Sequence, residues 1–257
     1  MMDFSRITAY LKYLRRARTE YGVHSPFVFN LLKNCIYDKK FYPQYDIIKQ
    51  YRKELLSDKR ILNIKDLGAD SKHFTSNDRK IKDMAERAGS SWKEMKLWFR
   101  LAAYFKPAHI LELGTHLGLS TLAWRLGSEG EITTVEGSED LQLVAREKLQ
   151  KYTTKKINFV RSDFDEFFEQ NRDKWDLVFV DGNHTYEATI RYFDILKSRT
   201  YNHSLIVFHD IHWSKGMERA WAKIIADPDV HVSIDLFCCG LVFFRKEQFK
   251  EHFVIRF

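Results

Sequence analysis

The stretch HILELGTHLGLSTLA, residues 109–123, constrains the fold more than any other part of the sequence. A short apolar run ends in Glu112, glycines follow at 114 and 118, and apolar residues then recur at helical spacing. A strand, a glycine-containing turn and the start of a helix are typical of the first unit of a nucleotide-binding α/β sheet. Gly114 and Gly118 lack a Cβ, so the backbone can approach a ligand closely there. We therefore predict that this turn forms the floor of a cofactor site.

Strands and helices alternate along the sequence from residue 108 onward. This alternation predicts an α/β fold, a parallel sheet with helices on both faces. The last two apolar runs, VHVSIDLF and GLVFFRK, are too close in sequence for a parallel crossover and should pair antiparallel. The predicted fold is therefore a Rossmann-like, doubly wound, mostly parallel sheet of seven strands with a terminal antiparallel hairpin. The five preceding strands are predicted at 109–113, 131–136, 157–161, 175–181 and 204–209.

Residues 1–106 show helical rather than strand spacing, and we predict that they form an all-helical N-terminal cap over a domain of residues 107–257. The segment DLGADSKHFTSND, residues 66–78, is rich in turn-forming residues and is predicted to be an ordered loop or a flexible lid. Ser91 and Glu94 have capping-box spacing at the start of the last helix. The predicted helices cover 4–19, a segment after Pro26, 45–56, 78–88 and 91–105.

The positive charge is concentrated in the predicted cap. Residues 1–106 hold 23 Lys and Arg against 12 Asp and Glu, a net charge of +11, whereas the remainder holds 19 against 23, a net charge of −4. Such an excess can attract nucleic acid or an anionic small molecule, or it can be a solvated helical face. No signal peptide or membrane span is evident, so we expect a cytoplasmic protein without a membrane partner. The three cysteines form no CxxC motif and are expected to be reduced.

Polar residues follow the predicted strands at the edge where doubly wound sheets bind their ligands. Glu136 could accept hydrogen bonds from both hydroxyls of a ribose. Asp163 could accept from an exocyclic amine, beside Phe164, which could stack on a base. The predicted cofactor-binding residues are Glu112, Gly114, Thr115, Gly118, Ser120, Glu136, Gly137, Ser138, Asp163, Phe164 and Asp181.

The combination of LELGTHLGLST, TTVEGS, RSDF, FVDGNHTYE and DLFCCGLVFF resembles the class I S-adenosylmethionine-dependent methyltransferases, in their O-methyltransferase-like branch. The resemblance covers about residues 107–245 and implies S-adenosylmethionine as cofactor, with Glu136 at the ribose and Asp163 by the adenine. It also implies that the helical extension shapes a substrate pocket. A nicotinamide dehydrogenase fits less well, because the interval from Gly114 to Gly118 departs from G-x-G-x-x-G and a third glycine is missing.

Titratable residues follow the fourth and fifth strands of the predicted sheet. Methyl transfer to a hydroxyl requires an aligned nucleophile and a group that removes its proton. His184 is the predicted base, because an imidazole titrates near neutral pH, although it could instead cap the helix that begins near Tyr186. Asp210 is the second predicted catalytic residue.

A divalent metal is compatible with these residues but is not favoured. Asp181 and Asp210 could share a cation through oxygen ligands, as in the metal-dependent catechol-type O-methyltransferases that this region resembles. Those enzymes have Asn after the second Asp, whereas Ile211 follows Asp210 here. His209 and His212 beside Asp210 could favour a transition metal instead. No residue is predicted as a metal ligand.

The sequence therefore favours an S-adenosylmethionine-dependent methyltransferase that methylates the hydroxyl of a small molecule. An RNA methyltransferase that uses the basic N-terminal segment is one alternative, although the residues after strand four, Asp181 to His184, lack the prolines typical of base-amine methylation. A non-catalytic S-adenosylmethionine-binding protein is the other. The oligomeric state stays open, and a homo-oligomer is compatible with the sequence.

Overall fold

The computed structural model describes residues 4–64, 76–87 and 90–257, without the side chains of Phe4 and Ser5. All but the last three residues of the predicted loop at 66–78 lie outside these ranges. The chain forms two compact units: a central unit, Asn34–Asn171, and a split unit, Met1–Lys33 with Arg172–Phe257. The boundary expected between residues 106 and 107 stays a prediction.

Helices and strands follow the predicted order closely. A 3-10 turn, Glu20–Gly22, precedes the second helix, and a π-helical segment, Leu32–Ile36, follows it. The α-helices are α1 Phe4–Arg16, α2 Pro26–Leu31, α3 Gln44–Ser57, α4 Ile81–Arg87, α5 Trp92–Phe105, α6 Leu119–Gly127, α7 Glu139–Leu149, α8 Phe164–Gln170, α9 Tyr186–Lys197 and α10 Lys215–Ala226. The strands are β1 Ile61–Asn63, β2 Asp78–Lys80, β3 His109–Leu113, β4 Glu131–Glu136, β5 Asn158–Arg161, β6 Trp175–Val180, β7 Thr200–His209, β8 Val232–Asp235, β9 Cys239–Phe243 and β10 Glu251–Val254.

The central unit contains three parallel strands in the order β3-β4-β5. The register pairs Leu113 with Val135 and Glu136 with Arg161, so the carboxyl ends of the three strands lie side by side. Ile110, Leu111 and Leu113 are buried because β3 is covered on both faces, as its continuous apolar run predicts.

The prediction of an all-helical N-terminal segment is wrong at one place. β1 and β2 pair antiparallel, Ile61 opposite Lys80, in the central unit. Each strand has only three residues, and in β2 only the middle residue, Arg79, is buried. A strand of this length shows too little alternation to be distinguished from a loop, so the sequence pattern does not detect it.

The split unit contains five strands in the order β10-β8-β9-β7-β6. β6 and β7 are parallel, and β8 and β9 form the antiparallel hairpin that the sequence predicts. β10, which was not predicted, pairs parallel with β8. Apart from β1 and β2, the described residues therefore hold eight strands, β3 to β10, rather than the predicted seven. The α/β, Rossmann-like and mostly parallel fold class is confirmed.

The first helix is tied to the C-terminal strand segment within the split unit. The backbone of Arg18 pairs with that of Ile255 in an isolated parallel bridge. The hydroxyl of Tyr13 donates to the carbonyl of Ile255 at 2.5 Å and accepts from the N–H of Phe257 at 2.9 Å. The Tyr13 ring also lies 5.3 Å from the ring of Phe237. These contacts fix α1, which carries residues that matter for the site described next.

Candidate functional site

The turn after β3 has the backbone geometry that its glycines allow. Gly114 and Gly118 have φ values of 106° and 75°, and His116 between them has 48°. Gly114 N–H donates to the carbonyl of Val135 at 3.0 Å, which holds the turn against β4. Gly118 is the N-cap of α6. The predicted strand, turn and helix are therefore present, with the turn at the carboxyl end of β3.

Gly118 is required by the packing of the protein itself. A Cβ built on Gly118 would lie 2.9 Å from Leu149 Cδ1 and 2.9 Å from the hydroxyl oxygen of Tyr51. That hydroxyl donates to the carbonyl of Leu117 at 2.7 Å, so α3 supports the turn from the side of Gly118. That Gly118 lets a ligand approach the backbone stays a prediction. The space that its Cβ would occupy is bordered by Leu149 and Tyr51.

Glu112 is fully buried and lies in a network of hydroxyl groups. Its Oε2 accepts from Thr121 at 2.5 Å and from Thr134 at 2.6 Å. Thr134 uses its proton on Glu112, so it accepts from Thr115, whose hydroxyl oxygen is 2.5 Å away. The network joins β3, β4 and α6 behind the turn. A direct contact of Glu112 or Thr115 with a cofactor stays a prediction.

Glu136 ends β4 and is only partly buried. Its Oε2 accepts from the N–H of His116 at 2.9 Å, and its Oε1 accepts from the N–H of Ser138 at 2.9 Å. Burial raises the pKa of Glu136, and the backbone N–H groups of Ser138, His116 and Gly137 oppose that rise. Because a carboxylate has about four acceptor positions, Glu136 keeps the capacity to accept from a ligand hydroxyl.

The other predicted cofactor residues of the central unit lie at the starts of helices. Ser138 caps α7 by accepting from Leu141 N–H, and Ser120 is buried in the first turn of α6. Asp163 is exposed and caps α8, with Oδ1 accepting from Glu166 N–H at 2.8 Å. Its other oxygen forms no hydrogen bond with any residue that the structure describes. The next residue, Phe164, is half-buried at the start of α8.

The split unit brings two imidazoles to one carboxylate. Asp181 Oδ1 lies 2.9 Å from Nδ1 of His209 and 3.5 Å from Nε2 of His184. Burial alone would raise the pKa of Asp181, but His209 and His184 hold that pKa far below its usual value. Asp181 is thus a carboxylate that accepts from both rings. The helix cap at this point is Thr185, which accepts from Ala188 N–H, so His184 does not serve as the cap.

Asp210 follows His209 in a strained backbone conformation, with φ of 55°. Its N–H donates to the carbonyl of Cys238 at 2.7 Å. Arg6 of α1 approaches its Oδ1 at 3.6 Å, and the Arg6 guanidinium carbon lies 5.0 Å from the centre of the Trp213 ring. An arginine from the N-terminal helix therefore faces the predicted catalytic aspartate, which the sequence did not indicate.

His212 lies in a different cluster from His209. Its Nε2 is 2.9 Å from Asp235 Oδ2 and its Nδ1 is 3.3 Å from Glu218 Oε1. His209 Nδ1 lies 3.8 Å from Asp210 Oδ2, so two of the three residues considered for a transition metal are close together and His212 is not among them. Among the residues that the structure describes, Asp181, His184 and His209 place one ligand atom each within 4.8 Å of one another, a geometry that could hold a cation.

Two comparisons of sequence bear on the site. Residues 111–211 match a family described as a methyltransferase domain. A stretch of 99 residues is 34% identical to O-methyltransferase hkm8 of Aspergillus hancockii, and it covers 37% of this chain and 38% of that protein. The match thus spans well under half of the curated relative. The resemblance to S-adenosylmethionine-dependent methyltransferases of the O-methyltransferase-like branch is confirmed.

Solved structures show the same fold. The SAH-bound methyltransferase PaMTH1 of Podospora anserina aligns with a TM-score of 0.62 at 16% identity, over 89% of this chain and 97% of that chain. An O-methyltransferase of Bacillus cereus in complex with SAH aligns with a TM-score of 0.54 at 16% identity, over 80% of this chain and 92% of that chain.

No helix in the described ranges has both the length and the apolar character needed to cross a membrane.

Proposed function

We propose that this protein is an S-adenosylmethionine-dependent methyltransferase that transfers a methyl group to a hydroxyl of a small molecule. The observation that carries the proposal is the partly buried carboxylate of Glu136 at the end of β4, held by two backbone N–H groups. The curated O-methyltransferase relative supports the reaction class, and the two SAH-bound neighbours support the cofactor.

The residues of the central unit fit the adenosine part of this cofactor. Glu136 has acceptor capacity for ribose hydroxyls, and the second oxygen of Asp163 could accept from the adenine amine. Phe164, the residue after Asp163, has an aromatic ring that could stack on the adenine. The turn from Gly114 to Gly118 would hold the methionine part, with Glu112 and Thr115 fixing the turn from behind.

The residues of the split unit fit proton removal. The cofactor supplies a methyl group activated by a sulfonium, so the protein has to align the acceptor hydroxyl and accept its proton. We assign the proton to His184. Asp181 accepts from both imidazoles, which orients the rings and stabilises a positive charge on either one. Asp210, faced by Arg6, would position the acceptor.

The cofactor assignment is tested by calorimetric titration of S-adenosylmethionine and, separately, of NAD. We expect binding of the former only. Glu136→Gln should weaken S-adenosylmethionine binding by about 1–3 kcal/mol, since charge-assisted hydrogen bonds to the ribose are lost. Glu139→Gln is the matched control, because Glu139 is exposed and pairs with Arg161 instead. Equal affinity of a folded Glu136→Gln protein and the wild type would contradict the assignment.

A further inference from the structure

A cavity lies in the split unit, lined in part by His212, which follows Asp210 by two residues. It has a volume of about 370 Å³ and opens between α1 and the start of α10. Thr8, Ala9 and Lys12 of α1 line one side, and His212, Lys215 and Glu218 line the other. Proteins hold small molecules in cavities of about 300–1,000 Å³, so this volume suits one part of a small molecule. None of the residues predicted to be catalytic or to bind the cofactor lines it.

The cavity has an excess of positive charge. Lys12 and Lys215 are exposed, and neither forms an ion pair with any carboxylate in the described part of the chain. Glu218 also faces the cavity, but it pairs with His212, which pairs in turn with Asp235. The carboxylates of Asp235 and Glu218 raise the pKa of His212 although burial opposes the rise, so this histidine offsets negative charge rather than adding to it. The two lysines are left to attract an anion.

The same helix connects the cavity with Asp210. Arg6 contacts Asp210, and a helix rises about 1.5 Å per residue, so Ala9 and Lys12 lie roughly 4.5 and 9 Å further along α1. On the opposite wall, His212 follows Asp210 by two residues. An acceptor that is held at Asp210 and carries an anionic group roughly 5–10 Å away would reach into the cavity.

We propose that this cavity binds a carboxylate or phosphate group of the methyl acceptor through Lys12 and Lys215. The acceptor is then an acidic hydroxyl compound rather than a neutral one. The inference rests on the proposed methyltransferase function, since it names the class of that enzyme's substrate.

The test compares charged probes with a neutral probe of the same shape. Binding of 4-hydroxybenzoate, 4-hydroxyphenyl phosphate and 4-hydroxybenzamide to the full-length protein is measured by calorimetry at low and high salt, with S-adenosylmethionine titrated on the same samples. We expect at least one anion to bind about tenfold or more tighter than the amide, because charge-assisted hydrogen bonds to lysine are among the stronger ones. The two anions distinguish a carboxylate site from a phosphate site.

Variants localise the effect. Lys12→Met with Lys215→Met should abolish the preference for the anion, whereas Lys223→Met, an exposed lysine of α10 outside the cavity, should keep it. Equal binding of the anions and the amide by the wild type, or a preference that survives the double substitution, would overturn the proposal. If the wild-type protein prefers the anions but does not bind S-adenosylmethionine, only the proposed function is overturned.

Discussion

Replacing Gly118 with alanine should destabilise the protein strongly for a change of one methyl group. Gly118 has φ of 75°, a conformation that costs a residue with a Cβ about 1–2 kcal/mol. The added Cβ would also lie 2.9 Å from both Leu149 and the Tyr51 hydroxyl, and relieving such overpacking costs about 1–2 kcal/mol when side-chain ends can shift. We expect a total loss of about 2–4 kcal/mol in the free energy of unfolding.

Thermal unfolding followed by circular dichroism measures this loss. For a protein of this size, about 2–4 kcal/mol corresponds to a fall in Tm of roughly 4–16 °C. Gly216→Ala is the matched control: no neighbour lies closer than 3.5 Å to its added Cβ, so it should be neutral or slightly stabilising.

Tyr51→Phe gives a second check, because it removes one of the two crowding atoms. The cost of Gly118→Ala should then be smaller in the Tyr51→Phe background than in the wild type. A Gly118→Ala protein that melts within about 2 °C of the wild type would refute the reasoning, since a difference of 1 kcal/mol already gives a shift of that size. An equal loss in Gly216→Ala would refute it too.

Three further predictions concern the split unit. His184→Ala should lower the rate of methyl transfer while the affinity for S-adenosylmethionine is kept, and full activity in this variant would return His184 to a structural role. A chelator should leave the rate of the wild-type protein unchanged. For His212, the raised pKa means that its stabilising contribution is complete below pH about 6.5 and is lost as pH rises through the folded-state pKa. Urea unfolding from about pH 6 to 9 should therefore show a loss of stability in the wild type that is smaller in His212→Gln, and parallel pH profiles would contradict this.

Much of the fold could be predicted because its elements carry strong local signals. The run before Gly114, the capping box at Ser91 and Glu94 and the short gap between β8 and β9 each restrict the backbone within a few residues. β1, β2 and β10 were missed, since three-residue strands and a terminal strand have little periodicity and depend on partners distant in sequence. Strand pairing of that kind is decided by tertiary contacts rather than by local pattern.

The sequence indicated where the candidate residues lie along the chain, but not which side chains they contact. Glu136 and Asp163 lie at strand ends as expected, because the chain direction alone places them there. The sequence could not show that His209 pairs with Asp181, or that Arg6 faces Asp210. The first pairing joins the ends of β6 and β7 and the second depends on the docking of α1, and neither has a local pattern in the sequence.

The contacts that hold α1 affect when the cavity between α1 and α10 can form during synthesis. Tyr13 holds the carbonyl of Ile255, 242 positions later in the chain. During synthesis the helix that bears Arg6 and Lys12 leaves the ribosome before β10 does, so the contacts of Tyr13 with Ile255 and Phe257 can form only later. The proposed acceptor cavity would thus acquire this support for α1 only after Ile255 has been synthesised.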